Sequence, residues 1–190
     1  MDISTAVFHI PVMAKDRDIS KFLSYVLRHA PQEIGLTLDA GGWTPVADLL
    51  DRAPISLTRT RLEQVVAASD KQRFALSPDG TRIRANQGHS IPVDLGLTPL
   101  SPPETLYHGT YPGALDAILA KGLRPMSRHH VHLSPDIQTA KKVGARRGKP
   151  VILAVAAGKM ADAGALFYRS ENGVWLVDHV PPAQLARLDD

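Results

Sequence analysis

The segment Leu97-Thr98-Pro99-Leu100-Ser101-Pro102-Pro103-Glu104 places three prolines within eight residues, near the middle of a 190-residue chain. Each proline fixes φ and removes a backbone donor, so neither a helix nor an interior strand runs through the stretch. It reads as a linker. A chain of this length supports one large domain or two small ones with modest cores. The expected division is an N-terminal extension over 1–15, a first lobe over 16–97, a linker over 98–104 and a second lobe over 105–190. No internal repeat and no low-complexity tract interrupts either piece.

Composition narrows the class. Hydrophobic residues make up 44% and charged residues 22%, ordinary for a globular protein. No apolar run approaches the length of a membrane span. The stretch Ala6 to Val12 is broken by His9 and Pro11 and follows Asp2, so a secretory signal is not expected. The chain has no cysteine, which removes disulfides, thiolate nucleophiles and Cys-based zinc sites together. A cytoplasmic location fits. Residues 1–97 carry 11 Lys+Arg and 11 Asp+Glu, whereas residues 98–190 carry 11 and 8, the source of the formal charge of +3. Any anionic partner must therefore meet a local cluster and not a global field.

The first half reads as three helices and a hairpin. Asp18 is expected to cap a helix whose apolar residues Ile19, Phe22, Leu23 and Val26 recur at helical spacing, with Pro31 past its end. Thr44-Pro45 gives a cap and first turn for a short helix through Leu50. Thr58 caps a third helix with Leu62, Val65 and Val66 inward. Arg73 to Leu76 and Arg82 to Ala85 flank Asp79-Gly80, a hairpin turn signal. That order is the winged-helix arrangement. The second half alternates strands (Leu106 to Thr110, Val131 to Ser134, Val151 to Ala156, Leu166 to Tyr168, Val174 to Val177) with helices over Pro112 to Lys121, closed by Gly122, and over Asp136 to Arg146. The fold class is α+β.

Several groups carry possible chemistry. Arg28-His29 ends the first helix, where cations offset the helix dipole; the sharper reading is a phosphate clamp, since guanidinium donors match phosphate oxygens. Arg73 opens the hairpin. Arg82 and Arg84 share a strand face, either a solvated face or a basic track for a nucleic-acid backbone. Gln87-Gly88-His89-Ser90 is a polar loop. His108-Gly109-Thr110 ends a strand with a glycine that admits a ligand to the backbone. Ser127-Arg128-His129-His130-Val131-His132-Leu133-Ser134 is the densest polar cluster. A metal is not expected there, because His129 points away from His130 and His132, and no carboxylate completes a ligand set. There is no GxGxxG loop and no P-loop lysine motif, so a bound dinucleotide would not be held in the Rossmann manner.

Six blocks in order resemble the RNA 2′-phosphotransferase (KptA-type) family, whose best-known member acts in tRNA splicing. They are Leu23-Ser24-Tyr25-Val26-Leu27-Arg28-His29; Lys71-Gln72-Arg73-Phe74; Ile83-Arg84-Ala85-Asn86-Gln87-Gly88-His89-Ser90; Leu106-Tyr107-His108-Gly109-Thr110; the 127–134 cluster; and Asn172-Gly173-Val174-Trp175-Leu176. The resemblance runs from about residue 16 to the end. It implies a winged-helix lobe that receives RNA, followed by an ADP-ribosyltransferase-like lobe that binds NAD⁺ as co-substrate. It implies a catalytic set of Arg28, His29, Arg73 and Arg128. NAD⁺ contacts are expected from His108, Gly109, Thr110, His132 and Ser134, and RNA contacts from Lys21, Arg84, Gln87, His89 and Ser90. The implied reaction moves an internal RNA 2′-phosphate to ADP-ribose, without a metal. The implied partners are a 2′-phosphorylated RNA and NAD⁺, with no membrane, and the expected state is a monomer. Protein-modifying ADP-ribosyltransferases often place a catalytic Glu on a late strand; Val174 to Val177 has none, and Glu171 precedes it. Two alternatives stand beside this reading: ADP-ribosylation of nucleic-acid ends or of a protein, and a winged-helix nucleic-acid-binding protein without activity.

Overall fold

A computed structural model describes residues 15–69, 71–145 and 148–188. Apart from Lys15, the expected N-terminal extension lies outside the described residues.

Helix α1 spans Asp16–Arg28 and buries Ile19, Leu23, Val26 and Leu27, one stripe at helical spacing. Its N-cap is Lys15, without a side-chain cap bond. The expected cap at Asp18 is therefore wrong. Asp16 and Asp18 both lie in the first turn, where a carboxylate acts on the helix dipole without capping, and Asp16 pairs with Arg61. After a 3-10 turn at Pro31–Ile34, strand β1 forms at Thr44–Pro45 and helix α2 at Val46–Arg52.

This corrects the expected helix start at Thr44. Pro45 is the N-cap and Thr44 lies in a ladder opposite Ile83. The residue before a proline is pushed to extended geometry, and β1 is an edge strand, where proline is tolerated. Helix α3, Arg59–Ala67, is capped as expected by Thr58, whose hydroxyl accepts from the Arg61 amide. Strands β2 (Phe74–Leu76) and β3 (Arg82–Ala85) form the expected antiparallel hairpin, with β3 central in the order β1-β3-β2. The Asp79 carboxylate ties the turn by accepting from the Ser77 hydroxyl and from the Thr81 amide and hydroxyl. Gly80 takes φ 68°.

The second half runs β4 (Leu106–Thr110), α4 (Pro112–Lys121), β5 (Val131–Leu133), α5 (Ile137–Gly144), β6 (Val151–Val155), α6 (Ala157–Asp162), β7 (Phe167–Arg169), β8 (Trp175–Val177) and β9 (Leu185–Leu188). Helix α5 is capped by Asp136 and ends at Gly144, two residues short of the expected Arg146, which lies outside the described residues. Helix α6 and strands β1 and β9 were not legible. They are short, and β9 is mostly exposed with no apolar alternation. Two antiparallel three-stranded sheets result, β4-β6-β9 and β5-β8-β7. They meet where Tyr107 and Ser134 exchange backbone hydrogen bonds.

Buried residues gather in two clusters, one within residues 19–85 and one within 106–180. The proline-rich segment between them has no regular structure and is stitched to the second half: the Leu100 amide donates to the Phe167 carbonyl, and the Gly158 amide to the Glu104 carbonyl. Among the described residues no helix is long and apolar enough to cross a membrane.

Candidate active site

Three arginines from distant parts of the chain converge. Arg28 comes from the end of α1, Arg73 from the residue before β2, and Arg128 from the loop before β5. Arg28 Nη2 donates to the Arg73 carbonyl at 3.3 Å, and its guanidinium lies 5.7 Å from the centroid of the Phe74 ring, within cation–π range. Burial, then the charges of Arg128 and Arg73, lower its pKa to about 10. Like charges are gathered only at a cost. Among the described residues no carboxylate forms an ion pair with Arg28, and its Nε is buried without a partner. A dianionic ligand would offset both penalties.

The loop after β3 closes the cluster. Gly88 takes φ 88°, and a β-carbon there would stand 3.6 Å from His132 Cε1, 3.7 Å from Arg28 Nη1 and 3.9 Å from Arg128 Nε. The backbone thus threads between the two halves of the site in a conformation that glycine adopts freely. Ser90 is pinned by its amide to the Arg28 carbonyl, and its hydroxyl stands 2.9 Å from His29 Nδ1. Burial and the charges of Arg28 and Arg128 lower the His29 pKa. The expected set Arg28, His29, Arg73 and Arg128 therefore occupies one place.

The histidines of β4 and β5 form a second tier. Arg128 Nη1 donates to His132 Nδ1 at 3.1 Å, and the His132 carbonyl accepts from His108 Nδ1 at 3.1 Å. Burial leads in holding both imidazoles neutral, pushing His132 down to about 3 and lowering His108. Ser134 joins this tier through its backbone bonds to Tyr107, and Thr110 is buried at the end of β4. Gly109 has a different reason for being glycine. A β-carbon would stand 1.9 Å from the Ala140 carbonyl oxygen, so it is helix α5 that approaches this backbone so closely.

Two hollows flank the cluster. One, of about 200 Å³, is lined by Gln87, Gly88, His89, His130, His132 and Tyr168 among others. The His130 and Tyr168 rings stand 5.6 Å apart and tilted. His89 is 3% exposed, with its pKa lowered to about 4, first by burial and then by Arg28. The other is a groove of about 650 Å³ between α1 and the end of α3, lined by Lys21, Tyr25, His29 and Arg73 among others. The structure brings Lys21 onto the same groove as two of the catalytic candidates.

Arg84 sits differently from its companions. Its guanidinium lies 4.6 Å from the centroid of Trp43, donates to Glu171 at 2.5 Å, and its side chain is 12% exposed. Trp43 and Glu171 are partners the sequence reading missed. Trp43 follows a Gly-Gly pair that gave it no periodic context, and Glu171 lies 87 residues from Arg84. Among the described residues no group of three or more His, Cys, Asp or Glu is placed to hold a metal ion.

Comparison with known proteins places the chain. Residues 14–179 match the family model described as RNA 2'-phosphotransferase, Tpt1 / KptA family. A probable RNA 2'-phosphotransferase of Agrobacterium fabrum is 59% identical over 165 residues, covering 85% of this chain and 89% of the relative. One of Nostoc punctiforme is 54% identical over 173 residues, covering 90% and 96%. One of Streptomyces griseus is 55% identical over 174 residues, covering 86% and 92%. The match spans every element that builds the arginine cluster, and on it the chain belongs to the RNA 2′-phosphotransferase family.

Proposed function

We propose that this chain is an NAD⁺-dependent RNA 2′-phosphotransferase: it removes an internal 2′-phosphate from RNA and leaves a 2′-hydroxyl, nicotinamide and ADP-ribose 1″,2″-cyclic phosphate. The observation that carries the reading is the convergence of Arg28, Arg73 and Arg128 without a carboxylate partner for Arg28. Three fixed cations at one point suit a group whose charge resides on several oxygens.

In this reading the first half is a winged-helix lobe for RNA, and the groove with Lys21, His29 and Arg73 admits the strand. Gln87, His89 and Ser90 border the reacting phosphate from the connecting loop. The second half is an ADP-ribosyltransferase-like lobe. NAD⁺ supplies an electrophilic ribose carbon and a leaving nicotinamide. His108, Gly109, Thr110, His132 and Ser134 are assigned to hold it. Their chemistry fits, because the nicotinamide ring is cationic and imidazoles kept neutral by burial do not repel it.

The arginines hold the phosphate in line and neutralise the charge that develops on its oxygens during transfer. No metal is required where they do so. His29, oriented through Ser90, is assigned to hand a proton to the departing RNA 2′-oxygen, since a bound phosphate dianion would counter the Arg28 and Arg128 charges that lower its pKa in the free protein. Glu171 is engaged with Arg84, which disfavours its use as the catalytic carboxylate of a protein-modifying enzyme. The working state is taken to be a monomer in the cytoplasm.

The test is an oligonucleotide with one internal 2′-phosphate, incubated with protein and EDTA, with and without NAD⁺, beside Arg128→Ala. The expected result is NAD⁺-dependent loss of the phosphate, release of the cyclic phosphate and impairment of the variant. Accumulation of a stable ADP-ribosylated RNA would turn the assignment to nucleic-acid ADP-ribosylation. No turnover by folded protein would leave RNA binding alone.

A further inference from the structure

The turn between β7 and β8 reaches the first half at two points. Glu171 Oε1 accepts from Arg84 Nη2 at 2.5 Å, and Asn172 Nδ2 donates to the Lys71 carbonyl at 2.9 Å. One contact reaches β3 and the other the segment just before β2 that leads into Arg73. Lys71 lies two residues before Arg73. Arg84 is paired with Ala75 across the hairpin, and the Asn86 amide bonds the Arg73 carbonyl. On the other side, β8 pairs residue by residue with β5, Trp175 opposite Leu133 and Leu176 opposite His132. His132 accepts from Arg128. The turn is therefore one short step from Arg73 in the first half and one short step from Arg128 in the second.

Such a link has something to oppose. Arg28 and Arg73 belong to the first half and Arg128 to the second, and like charges at this range repel. Without a bound anion, that repulsion acts to part the halves. We propose that Glu171 and Arg84 are positioning residues: their ion pair, seated on the Trp43 ring, is a clasp that holds the arginine cluster closed before the phosphate arrives. This rests on the cluster being the phosphate site. It also moves Arg84 from the RNA-contact role to a structural one, since its guanidinium is largely covered and faces Trp43 and Glu171. Surface ion pairs are ordinarily weak. This one has its arginine side buried to 12% exposure against an aromatic face, which restricts the arginine before the pair forms.

A clasp of this kind sets the fraction of molecules in the closed state. Opening the cleft lowers apparent affinity in proportion to the competent fraction and leaves the rate of the closed complex alone. The Glu171 side chain is 55% exposed on a turn, so its substitution is compatible with folding. The chain has no cysteine, so Asp51→Cys on α2 and Lys159→Cys on α6 give a clean pair for spin labels, both exposed in the structure.

The experiment compares the distance distribution between these labels, by pulsed electron paramagnetic resonance, in the parent, Glu171→Gln and Glu171→Lys. The same proteins are assayed for KM and kcat on the 2′-phosphorylated oligonucleotide. The expected result is a longer and broader distribution for Glu171→Lys, a small change for Glu171→Gln, and narrowing of both when the oligonucleotide is bound. KM rises by about tenfold in Glu171→Lys with kcat within about twofold. Unchanged distributions in both variants overturn the clasp. So does an Arg84→Ala variant whose RNA affinity loses about one unit of salt dependence while Glu171→Lys binds normally, because Arg84 would then contact the RNA backbone. A parent that binds RNA without turnover, yet opens on Glu171→Lys, sinks the phosphotransferase reading and supports the clasp.

Discussion

Arg128 Nη1 stands 3.1 Å from His132 Nδ1, and since a guanidinium can only donate, the imidazole must accept there and carry its proton on Nε2. The carbonyl of the same histidine accepts from His108. One residue of β5 thus orients an arginine through its ring and a second histidine through its backbone. Protonating His132 would break the first of these bonds.

That arrangement makes stability fall with acid. His132 is lowered to about 3 and His89 to about 4, from an unfolded value of about 6.5. Between those limits the unfolded chain binds protons that the folded chain refuses, so stability rises with pH through the window. The sign is the same for His29, His108 and His130, whose values are also lowered. Each histidine that titrates only when unfolded contributes a slope of up to about 1.4 kcal/mol per pH unit. Denaturant unfolding between pH 7 and pH 4.5 should show a steep loss, and His89→Asn should flatten it. A pH-independent midpoint over this range would refute the assignment.

Arg28 sits where the proposed function and stability conflict. It is largely buried beside two cations, with Nε unpartnered. Arg28→Met should raise Tm by a few degrees, because it removes that repulsion and keeps the apolar stem, while lowering transfer by about 10²–10³ or more. Sulfate or phosphate should raise the Tm of the parent more than that of the variant, since only the parent binds the anion fully. Scanning calorimetry with and without anion reads both. A Tm drop in Arg28→Met would mean that the arginine is net stabilising without its ligand.

The sequence marked the residues that converge more clearly than the frame that brings them together. The blocks around Arg28, Arg73 and Arg128 were visible because each joins unusual polar residues to strong local punctuation: a helix end, a turn, a strand start. Thr58 and Asp136 were legible as caps or helix starts for the same reason. What stayed hidden depended on contacts distant in sequence. Thr44 carried a good cap signal, yet its ladder with Ile83 won. Arg84 looked like a free strand residue because neither Trp43 nor Glu171 is near it along the chain. Gly109 was read as a glycine that admits a ligand to the backbone, whereas it is the distant helix α5 that packs against it.

Gly109→Ala separates those two causes. The added β-carbon would meet the Ala140 carbonyl oxygen at 1.9 Å and the Gly144 amide nitrogen at 2.9 Å. Backbone cannot yield as a side chain can, so overpacking should cost about 3 kcal/mol or more. Chemical denaturation of the ligand-free protein should register the full loss. A variant as stable as the parent but defective in NAD⁺ binding would place the glycine's role at the ligand instead.

Thr44 makes the opposite prediction. Its side chain is fully buried and its hydroxyl has no partner. A buried unsatisfied hydroxyl costs about 1–3 kcal/mol on mutational scales. Valine keeps the shape and suits a strand, so Thr44→Val should stabilise by about 1 kcal/mol without altering transfer. A destabilised Thr44→Val, measured by urea midpoint at an unchanged m-value, would reveal a partner for the hydroxyl.

Ser90 tests how His29 is aimed. Its hydroxyl stands 2.9 Å from His29 Nδ1, and its amide is fixed to the Arg28 carbonyl, so it ties the imidazole to the end of α1. Removing the hydroxyl leaves the histidine present but free to rotate. Ser90→Ala should then slow proton delivery to the departing 2′-oxygen, with a loss of about tenfold, smaller than the 10²–10⁴ that general acid catalysis contributes in total. Because attack of the RNA 2′-phosphate on the NAD⁺ ribose carbon, with loss of nicotinamide, needs no proton, the rate of that step should hold. ADP-ribosylated RNA should build up transiently in a single-turnover time course that shows none for the parent. His29→Ala should deepen that accumulation, and combining it with Ser90→Ala should add nothing, since the serine acts only through the histidine. An additive double variant would show that Ser90 touches the RNA or the phosphate itself.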